Sequence, residues 1–292
     1  MKFATLKTAF GNQVSLIDAD SGRFWPVAEL VPSFEGDMVQ LVQDYSDLKG
    51  RLVPKAPGKP LSDVTVLAPI SKPRRNIFCV GKNYHEHAKE FSLSGFDTSA
   101  KEGEHSPEVP VVFTKPASTV IGPNAKVPSH PSVTQQLDYE IELAVVIGKA
   151  GRAIRKEHAY EHVMGYMIVN DFTARDLQKS HKQWFLGKSL DGFCPMGPWL
   201  VTADEVDAEN LDVKCWINDE LRQNSNTSQL IFDIPTLIET ISAGIELQPG
   251  DVIATGTPAG VGIGFNPPKF LKSGDVMRLE ISGLGTLINE VE

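Results

Sequence analysis

Apolar residues in this chain fall into many short runs punctuated by Gly, Pro and Asn, the pattern of strands and turns rather than of long helices. The runs are "RNIFCVG", "PVVFTKP", "YEIELAVVIG", "GYMIVNDF", "LDVKCWIN" and "DVMRLEIS". Helical spacing of three and four appears in "GDMVQLVQDYSDLKGRL", "IPTLIETISAGI" and "RKEHAYEHV". The stretch "MKFATLKTAFGNQVSLIDADSGRFWPVAEL" reads as short strands broken by turn residues. With the helix that follows, it predicts a small N-terminal α+β domain over residues 1–66. The prolines of "VPKAPGKPLSDVTVLAPISKP" deny both helix and central strand and mark a linker ending near Leu67. Residues 67–292 are then expected to form a larger, mostly β domain of mixed α/β class, a rolled sheet or barrel. No internal repeat or low-complexity tract interrupts the pattern.

Composition narrows the function more than the fold. A chain of 292 residues can bury a sizeable core, and 41% apolar with 22% charged residues suits a soluble globular protein. The 37 acidic residues against 28 Lys and Arg argue against nucleic acid or an anionic membrane as partner, which leaves small molecules. Nowhere do eighteen apolar residues follow one another, and the amino terminus lacks the apolar stretch of a signal peptide, so a cytoplasmic protein is expected. Cys79, Cys194 and Cys215 are odd in number and far apart. That suits neither a disulfide framework nor a CxxC zinc site, and each is expected to be a buried small hydrophobe.

One strand breaks the usual rule. "QLDYEIELAVVIG" carries Asp138, Glu140 and Glu142 at alternate positions, so alternation puts all three on one face and Tyr139, Ile141 and Leu143 on the other. A solvated outer face is the common explanation of such a pattern. Like charges at this spacing repel, however, unless something cationic sits among them. "YMIVNDFTARD" sets Asp171 at the end of another apolar run, where strands meet loops and sites are built. Two glutamates and an aspartate make an all-oxygen set suited to Mg²⁺, Mn²⁺ or Ca²⁺ rather than zinc. A cation held this way keeps open positions for a chelating 2-oxo acid.

Three further stretches carry candidate chemistry. In "FCVGKNYHEHAKEF", His87 and Glu90 stand three apart on a helical turn, where a carboxylate can orient an imidazole and raise its basicity, although such pairs are usually just solvated. In "WFLGKSLDGFCPMGPW", Gly187, Lys188 and Ser189 mimic the end of a phosphate-binding loop, but Lys182 stands where that motif needs glycine. Nucleotide binding is rejected, and Lys188 is either a snorkelling surface lysine or a cation stabilising a developing enolate. "GDVIATGTPAGVGIGF" does not match GxGxxG, yet Gly256 and Thr257 can form a nest for a carboxylate.

The segments "CVGKNYHEHAKE", "LDYEIELAVVIG", "GYMIVNDFTARD", "GKSLDGFCPMGPW" and "GDVIATGTPAGVG" together resemble, in this order, the fumarylacetoacetate hydrolase family, in its branch of acylpyruvate hydrolases and oxaloacetate decarboxylases. The resemblance covers about Pro69 to Glu292. It implies a mixed β-sandwich roll, a homodimer, and Mg²⁺ or Mn²⁺ at Glu140, Glu142 and Asp171. It also implies a catalytic pair at His87 and Glu90, a substrate-contacting Lys188, and Thr257 holding the substrate's carboxylate. Gly256, Tyr84 and Arg175 complete the candidate substrate-binding set, and Asp138 stands behind the metal ligands rather than among them. The implied activity is hydrolysis of a carbon–carbon bond in an acylpyruvate by a His–Glu activated water. Oxaloacetate decarboxylation, or isomerase, hydratase or lyase action on a 2-oxo acid, is the alternative. The segment after Glu90, "FSLSGFDTSAKEGEHSPEVP", is either a flap over the site or a surface insertion. As a flap, its Phe91, Phe96 and His105 would choose the acyl chain.

Overall fold

The computed structural model describes residues 1–96 and 106–292. Its frame is a large mixed sheet ordered Lys59–Pro60, Arg23–Pro26, Gly11–Asp18, Lys2–Thr8, Cys194–Thr202, Val163–Asn170, Ile141–Ile147, Val252–Ala254, Ile77–Gly81 and Val111–Lys115. A second sheet runs Glu220–Asn226, Asp212–Ile217, Val276–Ile281, Gly285–Val291 and Lys126–Val127. The architecture is mixed and mostly β, as the run pattern predicts.

The Ile141–Ile147 strand lies in the middle because both of its faces are apolar, apart from Glu142. Its alternation divides the interior. Leu143, Val145 and Ile147 pack with Val213, Cys215, Leu279 and Leu287 of the second sheet and with Leu237 and Ile241 of the Ile234–Ser242 helix. Ala144 and Val146 face the other way, onto a core shared with Leu41 and Val42 of the Met38–Leu48 helix. Two layers therefore clamp one central sheet, and burial of apolar area from both sides is the main driving term.

The amino-terminal segment extends that same sheet. Lys2 and Phe3 pair with Val201 and Leu200, and Thr5 to Lys7 pair with Leu67 to Thr65. The hydrogen-bonded ladder thus runs across the proline-rich stretch at residue 66.

Two elements differ from the sequence pattern. "RKEHAYEHV" forms a 3₁₀ helix over Lys156–His162 rather than an α-helix, and Ala159 is its one buried residue, so it has no apolar stripe to seat. The polar "ELRQNSN" is a strand, Glu220–Asn226, held by its ladder to Asp212–Ile217 rather than by its own composition. The three cysteines are free and buried. Burial pushes all three thiols up, that of Cys194 to about 12. Phe91 belongs to the His85–Leu93 helix and is buried, whereas Phe96 is half-buried against the ring of Phe270 at 6.3 Å. His105 lies outside the described residues.

Candidate metal and catalytic site

Adjacent antiparallel strands bring the acidic residues together. Ile141 pairs with Asn170, the Asp171 N–H donates to the Glu140 carbonyl at 2.8 Å, and the Glu140 N–H donates to Asn170 Oδ1 at 2.9 Å. One strand end thereby holds Asp171 beside Glu140 and Glu142. All three are buried, and one carboxylate oxygen from each lies within 4.8 Å of the others. The solvated-face explanation fails for this strand, since Asp138, Glu140 and Glu142 are each at most 4% exposed.

Cations explain how the chain tolerates this. Lys188 Nζ donates to Glu140 Oε2 at 2.7 Å and Asp171 Oδ2 at 2.6 Å. Lys115 Nζ donates to the other Asp171 oxygen at 2.6 Å and to the Phe172 carbonyl at 3.0 Å. Arg175 reaches Asp138 through Nε at 2.8 Å and Glu140 through Nη2 at 2.6 Å. Asp138 also accepts from the Gly262 and Ile263 N–H groups, so it anchors Arg175 and a loop rather than joining the triad. Burial opposes charge on Glu140, but Lys188 and Arg175 outweigh it and hold the carboxyl down at about 2. Burial likewise works against the Lys188 ammonium, and Asp171 and Glu140 more than restore it.

Glu142 is treated differently. It accepts from the Gly256 N–H at 2.8 Å, and among the described residues no side-chain cation pairs with it. Burial, then the negative charges of Asp171 and Glu140, push its carboxyl well above the usual carboxylate range. The buried carboxylates Asp138, Glu140, Glu142 and Asp171 thus stand among the buried cations Lys115, Arg175 and Lys188, and a further buried lysine, Lys82, lines the same pocket. Glu140, Glu142 and Asp171 bring three hard oxygen donors together, and this donor set fits a divalent cation of the Mg²⁺ or Mn²⁺ kind.

The second group arises where the Ile77–Gly81 strand turns into the His85–Leu93 helix. His87 Nδ1 lies 3.1 Å from Glu90 Oε2, and the other Glu90 oxygen accepts from the Gly260 N–H at 2.9 Å. His87 is buried, and with Nδ1 engaged its Nε2 remains for a ligand. His87, Glu140, Glu142, Arg175, Lys188 and Thr257 line one small pocket, walled on one side by Phe91, Phe113 and Trp184. The expected constellation is therefore assembled from five separate stretches of chain.

Two of the candidate substrate contacts do not line this pocket. Tyr84 is buried with its backbone bridged to Leu230, and Gly256 spends its N–H on Glu142 rather than on an open nest. Arg175 lines the pocket, yet its guanidinium is committed to Asp138 and Glu140. Sequence reasoning overlooked several buried polar residues here, among them Lys82, Lys115, Asn170, Gln178, Gln223 and Asn83. Lys115 carried a usable signal, a lysine inside the apolar run "PVVFTKP". Asn83 bonds the Phe232 backbone and the Thr255 carbonyl, which no local pattern announces.

Known proteins share this arrangement of chain. The chain is 56% identical over 232 residues to the oxaloacetate tautomerase YisK of Bacillus subtilis (strain 168), covering 79% of this chain and 74% of the relative. It superposes with a TM-score of 0.83 and 41% identity on a fumarylacetoacetate hydrolase from psychrophilic Exiguobacterium antarcticum, across 100% of this chain and 99% of that one. A maleylpyruvate hydrolase from Sphingobium sp. SYK-6, solved in complex with manganese (II) ion and pyruvate, gives a TM-score of 0.80 at 31% identity, over 100% of this chain and 98% of that one. Residues 76–292 match the model of the fumarylacetoacetate (FAA) hydrolase C-terminal family, and with that match the chain belongs to this family of enzymes.

Proposed function

We propose that this protein is a divalent-metal-dependent enzyme that interconverts the enol and keto forms of a short 2-oxo dicarboxylic acid, with oxaloacetate as the first substrate to test. The observation that carries the reading is the convergence, in one small pocket, of a buried carboxylate triad with a single proton-transferring His–Glu pair. Ketonisation needs no more than that: one proton leaves the 2-hydroxyl and one arrives at C3. The likeness to an oxaloacetate tautomerase supports the choice of substrate, and the likeness to a hydrolase holding manganese and pyruvate supports the 2-oxo acid class.

Each residue has a task in this scheme. Glu140, Glu142 and Asp171 hold Mg²⁺ or Mn²⁺, which when bound supplies electrostatic stabilisation of charge on the substrate's 2-oxygen. His87, oriented through Nδ1 by Glu90, moves the proton to and from C3. Lys188 uses two of its three N–H donors on Glu140 and Asp171, and its third donates to a substrate oxygen. Thr257 donates its hydroxyl to the substrate carboxylate.

A second reading is favoured by the same dyad. A base held this way can take a proton from water, and hydroxide attack on the distal carbonyl of an acylpyruvate then cleaves the carbon–carbon bond and releases pyruvate. Homodimeric assembly and a cytoplasmic setting belong to both readings. No helix among the described residues is long and apolar enough to cross a membrane.

The test is turnover of metal-free and Mn²⁺-loaded protein on enol-oxaloacetate and on an acylpyruvate panel, followed by loss of enol absorbance and by release of pyruvate or CO₂. Metal-dependent ketonisation, lost in His87→Ala while Mn²⁺ still binds, is the expected result. Faster cleavage of an acylpyruvate would replace the first reading by the second, and inactivity on both substrates would overturn each.

A further inference from the structure

We infer that Gln223 is a positioning residue: it fixes the direction of the Thr257 hydroxyl and keys the loop that joins the metal carboxylates to the His–Glu pair. The inference rests on the proposed role of Thr257 in holding a substrate carboxylate.

Gln223 is the one fully buried side chain of the Glu220–Asn226 strand. Pairing with the neighbouring strand matches Cys215 to Gln223 and then Trp216 to Leu221, so Arg222 is an extra residue in a β-bulge. Bulges bend a strand and re-aim its side chains, and they gather beside functional sites. Here the neighbour of the bulged residue is turned into the interior.

Its partners fix which end of the amide is which. The Ile141 N–H can only donate, so it takes Oε1, at 3.2 Å. The Pro258 carbonyl can only accept, so it takes Nε2, at 2.7 Å. The second Nε2 hydrogen then goes to Thr257 Oγ1 at 2.8 Å, and the hydroxyl is the acceptor of that bond. The Thr257 hydroxyl hydrogen has no acceptor among the described residues, and Thr257 lines the pocket. Gln223 therefore leaves that hydrogen pointing where a ligand oxygen would lie.

The loop it holds reaches both halves of the site. The Gly256 N–H bonds Glu142, and the Gly260 N–H bonds Glu90. Gly260 has φ +103°, and a Cβ there would overlap the Arg222 carbonyl, so the loop rests directly on the bulge. Ile141, bonded by the other end of the amide, stands between Glu140 and Glu142. One side chain thus ties the strand of the carboxylates to the loop that braces the catalytic pair.

The test is a double-mutant cycle on pyruvate binding to Mn²⁺-loaded protein by titration calorimetry, with Mn²⁺ affinity measured separately. Gln223→Glu keeps the shape but loses the donor, so the Thr257 hydroxyl turns back toward the new carboxylate. It is expected to weaken pyruvate about tenfold in the wild-type background and less than about twofold in a Thr257→Val background, with Mn²⁺ affinity nearly unchanged. Gln223→Met, which packs without charge, is expected to give a smaller loss with the same dependence on Thr257. In turnover both variants should raise KM more than they lower kcat. Equal losses in the two backgrounds, no loss in either, or a parallel loss of Mn²⁺ would overturn the role of Gln223 alone. Wild-type protein that fails to bind pyruvate would overturn the proposed function from which the role follows.

Discussion

Glu140 and Glu142 are the same residue type two positions apart, yet their surroundings drive them in opposite directions. Lys188 and Arg175 hold Glu140 ionised, while burial and the charges of Asp171 and Glu140 favour neutral Glu142. Linkage gives the sign of the consequence. A carboxyl raised in the folded state contributes stability that is fully present below its unfolded value and is lost as pH rises through the raised one. Metal-free protein should accordingly lose melting temperature as pH climbs above the ordinary carboxylate range, and Mn²⁺ should remove that loss. Glu142→Gln imitates the neutral acid, so calorimetric scans in chelator should find its pH slope flattened. Its Mn²⁺ affinity should drop at least about tenfold, since an amide oxygen replaces a charged ligand. Retained affinity would remove Glu142 from the metal site. The acidic triad was legible in the sequence because alternate acids in an apolar strand are unusual. Gln223 was not, because its meaning lies in Ile141, 82 positions away. Lys115 acquires its role only through Asp171, 56 positions on.

At the scale of elements, the strands were legible where side-chain alternation or a continuous apolar run drives burial, as in Ile141–Ile147. The segments that deliver Arg175 and Lys188 were not. They are helices of six and four residues, Arg175–Ser180 and Phe185–Lys188, too short for helical periodicity to register. The His85–Leu93 helix illustrates a different dependence, since its Glu90 is placed from outside by the Gly262–Gly264 turn. A Cβ on Gly264 would overlap the Glu90 carboxylate. Gly264→Ala should therefore displace a flexible side chain rather than the backbone, uncoupling Glu90 from His87. A fall in kcat of about tenfold or more, with Mn²⁺ affinity and melting temperature close to wild type, is the expected pattern. A loss of Mn²⁺ affinity instead would mean that the turn supports the carboxylate triad, not the pair.

For the whole molecule, the composition shift near residue 66 suggests two domains, while the hydrogen bonds describe one sheet. Strand pairing joins Lys2–Thr8 to Cys194–Thr202, the Thr202 N–H donates to the Met1 carbonyl at 2.9 Å, and the Met1 ammonium reaches Thr202 Oγ1 at 2.6 Å. Phe3, Val14, Leu41 and Val42 cover the face of the central strands opposite the second sheet, against Ala144, Val146, Met167 and Val169. Those last residues share a strand with Glu142 or lie in the Val163–Asn170 strand that leads into Asp171, so the layer that buries them also holds the carboxylates in place. Residues 67–292 alone would expose that apolar face and the Leu200–Val201 end of the Cys194–Thr202 strand, an invitation to aggregation. The fragment is expected to be insoluble or to melt far below the full chain, and co-expression with residues 1–66 should restore solubility and Mn²⁺ binding. A soluble fragment with the melting temperature and metal affinity of the whole protein would show instead that the amino-terminal layer is an appendage, and that the second sheet alone is enough to hold the site.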